Sequence, residues 1–201
     1  MLSLDNKNYL KSDIMVIFQA DPKLKVVVIL GFIVISLSCW VAFFSPARGF
    51  ELSIYESTPI SFWIGSIFCI LCGVFIIVHQ VYTKQCKHSS FWIFGFMLLI
   101  MCRVILLYMP FIRGYYTWRG DNLSQIGYLI DILSTGHVDA NNFYPITHIL
   151  LLNIHVISNI SLQIVVNYST ALLSAFYVIS IYLVSTFLFH KKATRLLSVA
   201  A

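Results

Sequence analysis

The sequence predicts an all-α membrane protein: a polytopic transmembrane helical bundle of about four spans, with two short amphipathic helices in a long outer loop. Three observations predict it. Only 10% of the 201 residues are charged while 59% are hydrophobic, with a mean hydropathy of +0.86; an average soluble domain carries roughly 25% charged residues. Four apolar runs each approach or exceed the ~20 residues that a spanning helix needs. The basic residues sit in small groups between those runs rather than on one patch, which is how membrane proteins distribute them.

A larger soluble core does not account for this composition, because a chain of this size still has much surface to wet. The net charge of +5 does not indicate a nucleic-acid partner either, since such a binder needs a basic face. Five cysteines are present, and four of them (Cys39, Cys69, Cys72, Cys102) fall inside apolar runs. Cys69 and Cys72 form a C-x-x-C, but within a run and with no partner pair. They read as small apolar helix residues, so neither a disulfide nor a zinc site is expected.

The first apolar run is 26–44, the second 60–82, the third 91–112 and the fourth about 166–189. The first exceeds the 7–15-residue core of a signal peptide and lacks a small-residue cleavage site, so it is expected to be retained. This divides the chain into a cytoplasmic segment (1–25), a two-helix transmembrane hairpin (26–90) and a second unit (91–201). With four spans, Lys7, Lys11, Lys23, Lys25, Lys84, Lys87, Lys191, Lys192 and Arg195 all fall on one side. Arg48, Arg113 and Arg119 fall on the other. The positive-inside rule then places both termini in the cytoplasm of a plasma-membrane or ER-type bilayer. The apolar segment 146–160 is short and interrupted by His148, Asn153, His155 and Asn159. Counting it as a span would carry the last basic group outside, so it is expected to lie at the outer interface.

The outer loop is then 113–165. In 121–136, Leu123, Ile126, Ile130 and Leu133 recur at helical spacing, and Ser124, Gln125, Asp131 and Ser134 are expected to face away. Asp121 is placed to start this helix and Gly136 to end it; Pro145 suits the start of the next. This loop holds Arg113, Arg119, Asp121, Asp131, His137, Asp139 and His148 among the aromatics Tyr115, Tyr116, Trp118, Tyr128, Phe143 and Tyr144. Acids beside arginines at a membrane boundary suit a polar group presented from a lipid, such as a sugar phosphate. Arg103, midway along the third span, is an intramembrane charge that calls for a partner or a cavity. N-x-S triplets begin at Asn122, Asn159 and Asn167.

The order of these features resembles the start of the GT-C superfamily of integral-membrane glycosyltransferases, which includes protein O-mannosyltransferases and lipid A aminoarabinose transferases. The residues that carry the resemblance are Tyr116-Thr117-Trp118-Arg119-Gly120-Asp121, then Asn142-Phe143-Tyr144-Pro145-Ile146-Thr147-His148, then 169–189 closing on His190-Lys191-Lys192. About residues 91–201 are covered. The resemblance implies a polyprenyl-phosphate sugar donor and a transfer reaction on the outer face. It implies Asp121 as the catalytic base, with Arg113, Arg119, Tyr144 and His148 as substrate-binding residues around the leaving phosphate. It implies no certain cofactor and leaves a divalent metal open. Family members are longer, so the chain is read as an N-terminal part whose partners are membrane lipid and either a partner chain or further C-terminal helices. The alternative reading is a non-catalytic membrane subunit or scaffold. Transport is disfavoured, because Arg103 is the one charge inside a run and no broken-helix pair is visible.

Overall fold

A computed structural model describes residues 21–49, 51, 53–87, 89–116 and 120–200, with the side chains of 87, 120 and 121 excepted. Its secondary structure is 80% helix, without strands among the described residues. In chain order the helices are α1 (Pro22–Phe43), α2 (Ile54–Ser57), α3 (Ile60–Tyr82), α4 (Trp92–Ile112), α5 (Gly120–Thr135), α6 (Pro145–Ser158), α7 (Leu162–Leu188) and α8 (Lys192–Ala200), with a 3-10 turn at Gln85–Lys87.

Four of them, α1, α3, α4 and α7, are long and apolar enough to cross a membrane. At ~1.5 Å per residue, even the shortest covers the ~30 Å hydrocarbon layer. The start of α1 is set by Asp21, whose side chain accepts the Lys23 N–H at 3.0 Å, and by Pro22 in the first turn. The fourth span begins at Leu162, earlier than the apolar run suggests, because Ser161 takes the N-cap position right after the turn that ends α6.

Hydrophobicity does not say which side of these helices packs, because they are apolar all round. Small residues do. The buried stripe of α1 is Leu24, Val28, Gly31, Ile35, Ser38 and Ala42, and α3 buries Gly65, Ser66, Cys69, Cys72 and Gly73. A Cβ added at Gly95 of α4 would lie 2.7 Å from the Gly73 carbonyl oxygen. The α3 and α4 backbones therefore nearly touch there. Cys69 donates its thiol to the Leu98 carbonyl and Cys102 donates to that of Ser66. All five cysteines are free thiols.

Helices α1, α3 and α4 thus form a three-helix core, and among the described residues α7 is laid, of the spans, mainly against α4. Its apolar window is only 17% buried, against 44% for α3, so most of α7 faces outward. At one end α8 tucks Leu196 against Ile77 and Cys86. That contact gathers Lys84 and the basic residues of 191–195 at the same end. At the opposite end α5 and α6 pack on each other and on the start of α7, forming a cap around Leu129, Leu151, Leu152, Val165 and Val166.

Candidate functional site

Among the described residues, the cap and the adjoining end of the bundle hold Arg113, Tyr144, His148 and the backbone of Asp121, while Arg103 lies elsewhere. Arg113 follows the last turn of α4 and is 2% exposed. Its Nε donates to the Ser45 carbonyl at 2.8 Å. Its Nη1 and Nη2 form a bidentate pair with Glu51 at 3.1 and 3.0 Å, and they also reach Thr58 Oγ1 and the Ser57 carbonyl, each at 3.0 Å. The Tyr115 hydroxyl donates to the same carboxylate, and the Arg113 carbonyl accepts the Ala47 N–H at 2.8 Å. Burial alone would raise the Glu51 pKa, but hydrogen bonds from Ser57 and Arg113 and the Arg113 charge outweigh it, leaving the carboxyl below its usual range. All the guanidinium's donors are engaged by the protein itself. Arg113 therefore ties the 44–58 connection to the end of α4, and a ligand phosphate would have to displace Glu51 to reach it.

His148 is fully buried in the first turns of α6. Its Nδ1 lies 2.7 Å from Asn142 Oδ1, its Nε2 meets Gln125 Oε1, and the Tyr128 ring tilts over it at 5.4 Å. Asn142 Oδ1 also accepts the Tyr144 N–H at 3.1 Å, which fixes the orientation of that amide. Nδ1 therefore carries the ring proton, and a neutral ring requires Gln125 to turn its amide NH2 toward Nε2. Burial lowers the His148 pKa, which favours the neutral form. The imidazole acts as a strut between α5 and α6 and is closed to solvent.

Helix α5 extends as its periodicity suggests, but its packing face differs. Ile126, Leu129 and Ile132 pack inward with Asn122 and Gln125, while Leu123, Ile130 and Leu133 are exposed. Gln125 thus points at His148 rather than away from the cap. A helix lying at a membrane surface has two apolar neighbours, its cap partner and the lipid, so two stripes are apolar and the polar contacts select the inner one. Asn122 Nδ2 donates to Asn167 Oδ1 at 3.2 Å. Asn167 and Gln163 both donate to the Tyr116 carbonyl, at 3.1 and 2.9 Å. These bonds pin the start of α5 to the start of α7. They also bury two of the three N-x-S asparagines, Asn122 and Asn167, and leave Asn159 exposed at the left-handed turn that ends α6.

Asp121 is the second residue of α5, one turn before Gln125; its side chain, and the whole of Arg119, lie outside the described residues. Tyr144 caps α6 with its ring exposed. Arg103 stands apart on α4, donating from Nε to Ser174 Oγ with its guanidinium 5.3 Å from the Tyr177 ring centre. Among the described residues, no cluster of three or more His, Cys, Asp or Glu side chains is arranged to hold a metal. Sequence reasoning missed Glu51, Gln125 and Asn142. No motif marks Glu51 or Gln125, and the motif that opens at Asn142 gives that residue no role, since each is recognised only through a partner brought close by folding.

The His148 strut makes the cap sensitive to acid. The depressed folded pKa means that the unfolded chain binds the proton more readily, so the stabilisation is complete above the ordinary histidine value of ~6.5 and is lost as pH falls below it. Relative to a permanently exposed reference cysteine at the same pH, which cancels the falling thiolate fraction, a cysteine at Leu152 is expected to react slowly with thiol reagents at neutral pH and progressively faster as pH drops below ~6.5. In a His148→Gln background the rate should lose that step.

No family model, no curated protein and no solved structure matches this chain.

Proposed function

We propose that this chain is a GT-C-like membrane glycosyltransferase, or the N-terminal part of one, that transfers a sugar from a polyprenyl-phosphate donor on the outer face, with both termini in the cytoplasm. The observation that supports it most is the order and placement of elements. A span is followed by α5, with Asp121 in its first turn. Then comes α6, opened by Tyr144-Pro145, and a second span runs back from beneath that cap. This is the sequence of parts that the resemblance requires. Polar bonds from Asn122 to Asn167 and from Gln125 to His148 tie the first half of α5 to α7 and α6.

In this reading Asp121 takes the proton of the acceptor hydroxyl as its oxygen bonds to the anomeric carbon, and the sugar–phosphate bond breaks with the electron pair leaving on the lipid phosphate. Arg119 and the exposed Tyr144 hold that phosphate; Arg113 and His148 support the scaffold behind them. The test is transfer of labelled hexose from polyprenyl-phosphate hexose in membranes carrying the full chain. Asp121→Asn is expected to lower the rate at least ~100-fold while the cap stays folded. Transfer unchanged by that substitution would contradict the catalytic role. The alternative of a non-catalytic membrane subunit draws on Arg103, whose charge faces out of the bundle.

A further inference from the structure

Arg103 lies roughly 14 and 17 Å along the axis from the two ends of α4, at ~1.5 Å per residue. At that depth a guanidinium sits in hydrocarbon, where a charge is costly and unmet donors add to the cost. Long basic side chains escape by snorkelling only near helix ends. The side chain is nevertheless exposed on the outside of the α4–α7 pair. Its Nε is engaged by Ser174 and its cation by the Tyr177 ring, but no hydrogen bond reaches Nη1 or Nη2 from any described residue. No aspartate or glutamate occurs within α1, α3, α4 or α7. A shallow groove begins at Tyr177 and runs along α7 past Ser180, Ile181 and Val184. The surface therefore combines a fixed cation at mid-depth with an adjoining apolar groove.

We propose that this face binds a transmembrane helix of another chain that carries one carboxylate at mid-membrane, paired bidentately with the free edge of the Arg103 guanidinium. Charge complementarity selects that occupant. The four spans of a second copy, α1, α3, α4 and α7, offer no acid, and lipid phosphates lie at the bilayer surfaces. Two parallel N–H bonds to a carboxylate would satisfy the donors that the bundle leaves open. The proposal is independent of the glycosyltransferase reading, since it concerns neither Asp121 nor the cap.

The test uses the full chain with Ser180→Cys, co-expressed with a designed single-span leucine-rich helix bearing one cysteine. The probe has an aspartate at its centre, at its last turn, or nowhere. The central-aspartate probe is expected to form the disulfide cross-link with about tenfold higher yield than the other two. Arg103→Lys should keep only part of that preference, because an ammonium keeps the charge but not the bidentate fork, and Arg103→Leu should remove it. Because Arg103→Leu could act by misfolding the chain, a charge swap completes the test: Arg103→Asp should prefer a probe with a central lysine. Equal yields for all probes would overturn the proposal, as would a preference that survives Arg103→Leu. So would photoactivatable phosphatidylglycerol labelling α7 in an Arg103-dependent way while the aspartate probe shows no advantage, an outcome that would assign the cation to lipid phosphate.

Discussion

Replacing Arg113 by methionine is expected to destabilise the bundle by up to about 3–5 kcal/mol, the cost when a fully buried ion pair loses one partner. The substitution leaves the 87%-covered Glu51 carboxylate without its counter-charge and removes the bonds to Ser45, Ser57 and Thr58. The 44–58 connection then loses its main tie to α4. Arg113→Lys should recover only part of the loss, because an ammonium cannot reproduce the bidentate fork. Glu51→Gln should cost less than Arg113→Met, since the amide still accepts one bond. The measurement is thermal unfolding of the purified chain in detergent at neutral pH. Acid provides an independent check. The folded Glu51 pKa is depressed, so its stabilisation is fully present above the ordinary glutamate value of ~4.3 and is lost as pH falls through the lower folded value. This loss sets in at a lower pH than that of His148, because the ordinary values are ~4.3 and ~6.5, and Glu51→Gln should abolish it selectively.

The second large effect is expected at the α3–α4 crossing. Gly95→Ala places a Cβ 2.7 Å from the Gly73 carbonyl oxygen and 3.1 Å from Ile76 Cβ. A backbone oxygen has no rotamer by which to withdraw, so the helices must separate along their contact. About 1–3 kcal/mol is the expected cost of such overpacking, and valine or leucine should exceed it. Gly127 in α5 is the internal contrast, because nothing lies within 4 Å of a Cβ built there. Gly127→Ala should stabilise the cap by about 0.5–1 kcal/mol through helix propensity. Opposite signs for two Gly→Ala changes in one chain would separate close packing from propensity.

The spans were legible because ~20 uninterrupted apolar residues have few other uses. Their packing faces were not legible from hydropathy, but the small residues Gly65, Cys69, Gly73 and Gly95 mark them. The cap helices were legible in extent, from Pro145, Gly136 and the 3.6-residue period. The inner face of α5 was not, because lipid and cap both accept apolar side chains and only Gln125 and Asn122 distinguish them. Glu51 could not be assigned to Arg113, for its place opposite that guanidinium depends on how the whole 44–58 connection folds. Arg103 stood out in sequence as a charge in an apolar run, but that its guanidinium lies on the outside of the α4–α7 pair is visible only in three dimensions.

The central claim is a bundle crossing the membrane four times, with the α5–α6 cap on the face opposite the basic ends. Its most direct measurement is thiol labelling by a membrane-impermeant reagent in sealed membranes of known orientation. Asp139 and Lys191 are both exposed, on the cap side and the basic side respectively. A cysteine at Asp139 should react from the outer face without permeabilisation, and one at Lys191 only after it. Reaction of both from the same face, or protection of the Asp139 position until the membrane is opened, would contradict the account.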